Sequence, residues 1–213
     1  MIVYTANFGN KDIVRPESFH LVQDIEYVYF SDINYIENLN GRTLIVEPLR
    51  FNNDPVKTAK WYKLHSHILF PGKITLWLDA NYGASKINKL LDLTNDFEHV
   101  MLQPHYSNCP YEEANICLKS GKVSNIEKFL FQIETYKKEG MPIKSPNYRG
   151  GIIFRKSTAE TIRFNTLWWN EIEKWQLRDQ LSLAYIIWKY NIKVSFFLKK
   201  GYIGRRGNHF RKN

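Results

Sequence analysis

The tripeptide Asp79-Ala80-Asn81 is the best local candidate for chemistry, and it follows the apolar run of residues 74–78. An apolar run that does not alternate is typical of a strand buried on both faces of a parallel sheet. Such a strand fixes the direction of a carboxylate beyond its end, where the carboxylate can bind a hard divalent cation together with substrate phosphates. The alternative is that Asp79 only caps a helix or closes a turn.

Two lysines and a histidine form a second group, on the helix that the apolar spacing predicts over residues 55–70. Lys60, Lys63 and His67 recur at positions i, i+3 and i+7, so they share one stripe of that helix. Cations on this stripe are suited to pairing with phosphates or contacting sugar hydroxyls. A solvated helix face is the alternative explanation of the same pattern.

A charged pair, Arg178 and Asp179, precedes the apolar helix predicted over residues 179–190. Asp179 is either the N-cap of that helix or a carboxylate that faces a cleft. In the second case it would orient or deprotonate an acceptor hydroxyl, and a contacting Arg178 would keep it ionised. His105 lies near a predicted loop and is either a site residue or a structural histidine.

The positive charge is concentrated at the end of the chain. The formal net charge is +9, from 30 Lys and Arg against 21 Asp and Glu, and residues 199–213 contain six Lys or Arg and no acid. Without that tail the sum is 24 minus 21, or +3. Its charge fits contact with an anionic phosphate, a lipid surface or nucleic acid. The tail, which includes His209, either closes over a diphosphate or stays a solvated terminus.

These candidates need a framework, which the chain supplies by alternating strand and helix patterns. Strands are predicted at residues 2–5, 27–30, 43–46, 74–78, 100–102 and 151–155, and helices at 55–70, 85–93, 110–119, 124–138, 158–174 and 179–190. Such α/β units form a mainly parallel sheet that binds ligands at the carboxyl ends of its strands. No linker or internal repeat interrupts the pattern, so we predict one domain, residues 1–198, followed by the tail.

Several enzyme classes lose support because their motifs are absent from the sequence. There is no Walker-type phosphate loop, no G-x-G-x-x-G, no C-x-x-C, no H-E-x-x-H and no G-x-S-x-G. These absences argue against a P-loop kinase, a dinucleotide oxidoreductase, a zinc hydrolase and a serine hydrolase.

Apolar runs and cysteines indicate the compartment. The longest nearly apolar stretch, residues 181–188, has eight residues, whereas a membrane span needs about 20. The first residues do not have the pattern of a signal peptide. Cys109 and Cys117 are predicted to be free thiols on or beside one helix. A cytoplasmic, reduced protein is therefore predicted, with peripheral contact between its basic tail and an anionic membrane.

An ordered set of short motifs covers nearly the whole chain: Val3-Tyr4-Thr5-Ala6-Asn7-Phe8-Gly9, Tyr29-Phe30-Ser31-Asp32, Lys60-Trp61-Tyr62-Lys63-Leu64-His65, Leu69-Phe70-Pro71, Leu76-Trp77-Leu78-Asp79, His105 with Tyr111-Glu112-Glu113-Ala114, Gly150-Gly151-Ile152-Ile153-Phe154-Arg155, Trp168-Trp169-Asn170-Glu171 and Arg178-Asp179-Gln180-Leu181-Ser182. No single motif is specific, but together they resemble a glycosyltransferase-like family, formerly a domain of unknown function. Its plant members are linked to mucilage and turgor-related wall polysaccharides.

The resemblance implies a GT-A-like, single-domain α/β fold, with a mixed, mainly parallel sheet flanked by helices. It also implies a nucleotide-sugar donor, expected to be a UDP-sugar. By the same resemblance Tyr4, Thr5, Ala6, Asn7, Asp32 and Asp79 are donor-binding residues. Lys60 and Lys63, from the cationic stripe, and Asn81, beside Asp79, complete the predicted donor-binding set.

The resemblance further implies a divalent metal, Mn²⁺ or Mg²⁺, at Asp79. Asn81 stands where a D-x-D motif would place its second carboxylate. Metal binding is therefore expected to be weaker, to use His209 as well, or to be absent.

Asp179 maps to the region that supplies an acceptor-side acid, and Arg178 is grouped with it as catalytic. His105, Trp168 and Trp169 are the predicted acceptor-binding residues. A tryptophan can provide an apolar platform for a sugar face, or it can belong to the core.

The leading hypothesis is a glycosyltransferase that moves a hexosyl or related sugar to a hydroxyl of a glycan, polysaccharide or lipid-linked saccharide. One rival is a non-enzymatic polyanion or nucleic-acid binder, motivated by the net charge of +9 and the abundant aromatic residues. The other is a degenerate transferase fold that binds sugars without turnover, which Asn81 keeps open. No specific nucleic acid is expected as a partner, because the excess charge lies mainly in the tail.

Overall fold

The computed structural model describes residues 1–12, 22–34, 41–82, 97–175 and 178–196. Seven strands form one sheet, in the order β3-β2-β1-β4-β6-β5-β7. They are β1 (Ile2–Asn7), β2 (Glu26–Ser31), β3 (Thr43–Val46), β4 (Thr75–Leu78), β5 (Val100–Pro104), β6 (Tyr148–Arg155) and β7 (Ser195–Phe196).

The sheet is mainly parallel. β1 pairs in parallel with β2 and β4, β2 with β3, and β5 with β7. β6 runs antiparallel to both of its neighbours, β4 and β5. Because its direction is reversed, the beginning of β6 lies at the edge where β4 and β5 end. Leu78 at the end of β4 accordingly pairs with Ile152, and Pro104 at the end of β5 pairs with Tyr148.

The order of the strands defines a topological switch point between β1 and β4. From β1 the chain adds β2 and β3 on one side, whereas β4 is added on the other. Open α/β sheets bind ligands in the crevice at such a point, outside the carboxyl ends of the strands. The ends of β1 and β4 are therefore the expected centre of a binding site.

The described helices are α1 (Pro55–Leu64), α2 (Ser66–Leu69), α3 (Pro110–Lys119), α4 (Ile126–Lys138), α5 (Ala159–Lys174) and α6 (Asp179–Lys189). The mainly parallel α/β fold and most predicted elements are thus confirmed. The single helix predicted over 55–70 is wrong, because the backbone leaves the helical region at His65 (φ −117°, ψ 33°). The helix predicted over 85–93 and the tail 199–213 lie outside the described residues.

Both faces of the central strands are buried, as a parallel sheet requires. Tyr4, Trp77 and Ile153 pack with the helices on one face, and Val3, Leu76 and Phe154 form a second core cluster. Cys109 and Cys117 are free and buried, as predicted. Within the described ranges, no helix is both long enough and apolar enough to cross a membrane.

Candidate functional site

A cavity of about 840 Å³ opens along the carboxyl edge of the sheet. Its lining comes from the ends of β1 and β4, the first residues of β6, the loop after β5, and parts of α1, α3 and α6. β1 and β5 are separated by three strand spacings, about 14 Å in total. The cavity therefore has two ends, one beside β1 and one beside β5, with the residues after β4 and at the start of β6 between them.

The helix α1 directs two lysines into the cavity. Asp54 caps this helix, since its side chain accepts hydrogen bonds from the backbone N–H groups of Val56 and Lys57 at 2.9 Å. Pro55 occupies the first turn, where its missing N–H costs nothing. Lys60 and Lys63 then share one helix face with three apolar or small residues that line the same cavity.

Lys60 and Lys63 meet the carboxylate of Asp179, at the start of α6. The Lys60 Nζ is 2.5 Å and the Lys63 Nζ 2.7 Å from Asp179 Oδ2. The side chain of Lys63 is only 2% exposed and that of Asp179 only 9%. This buried cluster joins positions that are 119 and 116 residues apart in the chain.

The cluster fixes the charge of its members. Burial by itself raises the pKa of Asp179, but the charges and hydrogen bonds of the two lysines outweigh this effect and hold the pKa well below its usual value. Burial lowers the pKa of Lys63, yet the two nearby aspartates raise it above its ordinary value. Burial also lowers the pKa of Lys60, and Asp179 offsets only part of that effect. Asp179 is therefore an ionised carboxylate that pairs with two ammonium groups, and it is a poor proton acceptor.

Asp179 is not the N-cap of α6, and it lines the cavity as the second alternative predicts. The N-cap of α6 is Arg178, and Asp179 is the first helical residue. A carboxylate there is favoured by the helix dipole without acting as the cap. The guanidinium of Arg178 is not what pairs with Asp179: its Nη2 contacts Cys117 Sγ at 3.1 Å and Gln180 Oε1 at 3.4 Å. Arg178 does line the cavity, and its Nε is buried without a partner in the described structure.

Asp79 lies directly beyond β4 and lines the middle of the cavity. Its Oδ1 accepts a hydrogen bond from Trp77 Nε1 at 2.8 Å and lies 3.5 Å from Lys63 Nζ. The side chain remains 35% exposed, so it is accessible to a ligand. Lys63 therefore links the carboxylate after β4 to the carboxylate of α6.

The residues that could hold a divalent ion are few. Asn81 lines the same part of the cavity, and its Oδ1 is buried without a hydrogen-bond partner among the described residues. Asp79 and Asn81 together offer two hard oxygen donors, which fits an ion that takes its remaining ligands from phosphates and water. No group of three or more metal-binding side chains occurs in the ranges that the structure describes. His209 lies outside those ranges.

Only some of the predicted donor-binding residues reach the cavity. Ala6 and Asn7 line it. Tyr4 and Thr5 do not, because they lie within the covered part of β1, where they are 1% and 5% exposed. Tyr4 instead donates a hydrogen bond to the Lys63 carbonyl at 3.1 Å. Tyr4 and Thr5 therefore lie outside the cavity, and their donor contacts stay a prediction.

Asp32 has a structural contact beside the cavity. Its Oδ1 accepts a hydrogen bond from the backbone N–H of Gly9 at 2.9 Å. Gly9 has a φ of +66° in the turn after β1, and a Cβ there would lie 2.9 Å from Pro55 Cβ. Asp32 therefore fastens this turn, and it is not among the residues that line the cavity.

The predicted acceptor-binding residues separate clearly. His105 lines the cavity, where its Nδ1 accepts from the Ser107 N–H at 3.2 Å and its Nε2 lies 3.6 Å from Glu113 Oε2. Trp168 is 0% exposed, and its Nε1 donates to the Asp179 carbonyl at 3.1 Å. Trp169 packs against Phe51 and His65 and does not line the cavity. Both tryptophans belong to the core, which is the alternative to a sugar platform that the sequence left open.

His67 also departs from its predicted stripe. Since α1 ends at Leu64, His67 lies in α2, with Nδ1 3.2 Å from Asn165 Nδ2. It does not line the cavity with the two lysines.

Sequence reasoning missed several lining residues, namely Lys11, Tyr106, Lys122, Arg149 and the pair Gly150-Gly151. The glycine pair carried a signal, because adjacent glycines at the start of an apolar strand indicate a close approach. A Cβ on Gly150 would lie 3.0 Å from Lys63 Nζ, 3.2 Å from Trp168 Cη2 and 3.4 Å from Asp179 Oδ2. A Cβ on Gly151 would lie 2.7–2.9 Å from the ring of Tyr82. A Cβ on Gly151 therefore has no room unless Tyr82 shifts, and one on Gly150 would require its neighbours to move by a few tenths of an ångström.

Comparison with known proteins gives a consistent result. A family model described as "TOD1/MUCI70, glycosyltransferase-like domain" matches residues 1–202. A protein of Arabidopsis thaliana described as "Probable hexosyltransferase MUCI70" is 28% identical over 179 residues, which are 74% of this chain and 30% of that protein. The chain thus spans less than a third of the length of this relative.

Two solved structures share the fold. Mouse xyloside xylosyltransferase 1 has a TM-score of 0.52 at 11% identity, covering 92% of this chain and 84% of the mouse chain. The bifunctional glycosyltransferase WbbM has a TM-score of 0.55 at 13% identity, covering 92% of this chain and 38% of the other. The predicted GT-A-like fold is therefore confirmed.

Proposed function

Since the chain belongs to the TOD1/MUCI70 glycosyltransferase-like family, we propose that it transfers a hexosyl or related sugar from a nucleotide-diphosphate donor to a hydroxyl of a saccharide acceptor. One observation carries this proposal. Asp79, Lys60, Lys63 and Asp179 converge in one cavity at the switch point between β1 and β4. The two lysines and the two aspartates balance in charge. The positive charge that a diphosphate leaving group needs would therefore come from a divalent ion at Asp79 and from the exposed part of Lys60.

The donor would lie across the ends of β1 and β4. Asn7 and its loop form the end of the cavity beside β1: Asn7 Nδ2 donates to the Asp12 carbonyl at 2.7 Å, and Asn7 Oδ1 accepts from the Asp12 N–H at 3.1 Å. Lys11 and Asp12 line this end as well. These contacts support placing the nucleoside there, with its diphosphate towards Lys60 and Lys63.

A divalent ion, Mn²⁺ or Mg²⁺, would be held by Asp79 and Asn81 with the donor phosphates. When bound, it would neutralise the charge that develops on the leaving diphosphate. Asn81 supplies a neutral oxygen in place of a second carboxylate, which is expected to weaken metal binding in the absence of donor.

In the transfer step, the acceptor oxygen forms a bond to the anomeric carbon, and the bond from that carbon to the diphosphate breaks. The diphosphate leaves with the electron pair, and the proton of the hydroxyl passes to an oxygen of the leaving diphosphate. The low pKa of Asp179 makes it a poor acceptor of that proton. We assign Asp179 the role of holding both ammonium groups and orienting the acceptor, which is the positioning alternative of the sequence prediction.

The primary test is a thermal-shift panel of nucleotide sugars, including UDP-sugars, with and without Mn²⁺. A ligand that binds only the native state raises its apparent stability. The donor that shifts the transition most is then titrated calorimetrically into wild type and Asp79→Asn, and nucleoside diphosphate release is measured with saccharide acceptors. We expect Asp79→Asn to weaken Mn²⁺-dependent donor binding at least tenfold.

Glu98→Gln is the matched control. Its side chain is 82% exposed and precedes β5, at the opposite edge of the sheet. It should bind the donor as wild type does. Equal donor affinity in Asp79→Asn and wild type would contradict the proposed donor site.

A catalytically degenerate sugar-binding protein is the second candidate, and Asn81 is the observation that favours it. Donor binding without release of nucleoside diphosphate, across the acceptor panel, would support this candidate. Salt-sensitive binding to any nucleic acid, without an effect of nucleotide sugars, would support the polyanion binder instead.

A further inference from the structure

The end of the cavity beside β5 carries an exposed aromatic side chain. Tyr106 is the second residue after β5, lines the cavity and is 71% exposed. Its ring packs against the buried ring of His105, with the centroids 4.1 Å apart and the planes inclined at 35°. His105 is in turn held by Ser107 and Glu113. His105 therefore holds the Tyr106 ring in place, and most of the surface of Tyr106 stays accessible.

Arg149 lies beside Tyr106 and Lys122 lines the same cavity, and neither has a carboxylate partner among the described residues. The guanidinium carbon of Arg149 lies 5.8 Å from the centre of the Tyr106 ring. Lys122 lines the same cavity and follows α3. Neither residue takes part in an ion pair within the described structure. The neighbouring acid, Glu113, lies against His105 and also accepts from Cys117 Sγ at 3.6 Å.

The position of these residues separates them from the donor. Arg149 pairs with Gln103 in the register between β6 and β5, on the far side of β4 from β1. The cluster of Lys60, Lys63 and Asp179 lies between this end and the residues after β1. Since the diphosphate is assigned to that cluster, the cations near β5 face a different part of the substrates.

We propose that Tyr106, Arg149 and Lys122 form an acceptor subsite for a saccharide that carries an anionic group. The inference rests on the proposed glycosyl transfer. An aromatic face packs against the apolar face of a sugar ring, and a guanidinium binds a carboxylate or phosphate through two parallel hydrogen bonds. Ile116, which is 42% exposed and lines the same end, extends the apolar contact. The subsite replaces the tryptophans as the platform for the acceptor.

The test compares three probes of equal length: a uronic acid trisaccharide, its carboxyl-reduced neutral counterpart, and that neutral trisaccharide carrying one phosphate monoester. Binding to the full chain is measured by calorimetry in the presence of nucleoside diphosphate and Mn²⁺. We expect at least one charged probe to bind at least tenfold more tightly than the neutral one. The charged probe that binds identifies the group as a carboxylate or a phosphate.

Variants assign the binding to these side chains. Tyr106→Ala should weaken the bound charged probe about tenfold, and Arg149→Gln should remove the preference over the neutral probe. Tyr190→Ala and Arg163→Gln, which change exposed side chains outside the cavity, are the matched controls and should bind as wild type does.

Several outcomes would overturn the inference: equal binding of neutral and charged probes, no binding of any probe, or unchanged affinity in Tyr106→Ala. Donor affinity is measured in the same variants and should not change. If wild type binds the donor but no saccharide probe, only the subsite is refuted. If wild type does not bind any nucleotide-sugar donor, the proposed function is refuted.

Discussion

The middle of the cavity and its end beside β5 compensate charge in opposite ways. Around α1 and α6 the charged groups are buried and paired, with Lys63 2% exposed and in contact with two aspartates. Beside β5, Tyr106 is 71% exposed, and Arg149 and Lys122 have no ion pair among the described residues. Buried charges must be compensated within the fold, whereas exposed charges are compensated by water or a ligand. Substitutions in the buried cluster of α1 and α6 should therefore change stability and function together. Substitutions at the end beside β5 should change binding alone.

The largest expected effect is that of Asp179→Asn. The change leaves two buried ammonium groups without their carboxylate, so the free energy of unfolding should fall by about 3–5 kcal/mol. Transfer should fall about 100-fold or more, because the acceptor and the two lysines lose their common anchor. Urea denaturation and steady-state rates with the identified donor measure the two effects.

The double variant Asp179→Asn/Lys63→Met is the control for this explanation. Removing one of the unpaired ammonium groups should recover part of the lost stability without recovering transfer, which a double-mutant cycle measures. An Asp179→Asn protein as stable as wild type would show that the buried cluster does not contribute to folding.

A smaller loss is expected for Gly151→Ala. The added methyl group would lie less than 3.0 Å from the Tyr82 ring, which is 4% exposed. Such overpacking costs about 1–3 kcal/mol. Thermal denaturation measures the loss, and Tyr82→Leu in the same background should restore part of it. If Gly151→Ala is as stable as wild type, the floor of the cavity can accommodate a side chain at this position.

The dependence of stability on pH sharpens the same comparison. The pKa of Asp179 is depressed in the folded protein, so its contribution is fully present above its unfolded value of about 3.8 and is lost as the pH falls further. The stability difference between wild type and Asp179→Asn should be constant from pH 7 to pH 5. Below about pH 4 it should narrow by at most about 1.4 kcal/mol per pH unit. Urea titrations at each pH test this, and a difference that widens on acidification would have the wrong sign.

The smallest expected effect on stability is that of Tyr106→Ala. Because this side chain is 71% exposed, the free energy of unfolding should change by no more than about 0.5 kcal/mol. Chemical denaturation of the same preparation that is used for saccharide binding measures it. A loss of unfolding free energy above about 2 kcal/mol would show that the end beside β5 contributes to folding, as the buried cluster of α1 and α6 does.

The elements of the fold could be predicted because they depend on local patterns. The strand over Thr43–Val46 and the helix over Pro110–Lys119 were predicted with their observed bounds. The direction of β6 could not be predicted, since an apolar run reads the same in parallel and antiparallel strands. The break at His65 has no glycine or proline to mark it. β7 has two residues, too few to form a pattern.

The site could be predicted only in part, because its contacts are non-local. Lys63 was assigned to a ligand-binding or solvated stripe, yet it is buried through a partner 116 residues away. Trp168 was considered as a sugar platform because tryptophan is suited to both roles, and burial decides between them. Tyr106 gave no signal, since one tyrosine after a strand is ordinary. What distinguishes it is exposure at a cavity mouth, which only the fold reveals.

The absence of a side chain at Gly150 also bears on how such a site can evolve. A Cβ at this position would enter the space shared by Lys63 Nζ, Trp168 Cη2 and Asp179 Oδ2. A larger residue would be accepted only after one of those side chains had shortened or shifted, so the order of substitutions matters. Substitutions at positions 63, 150 and 179 should therefore be correlated among distant relatives. A descendant that changes residue 150 first would press on the contact between Lys63 and Asp179 before either side chain had adapted.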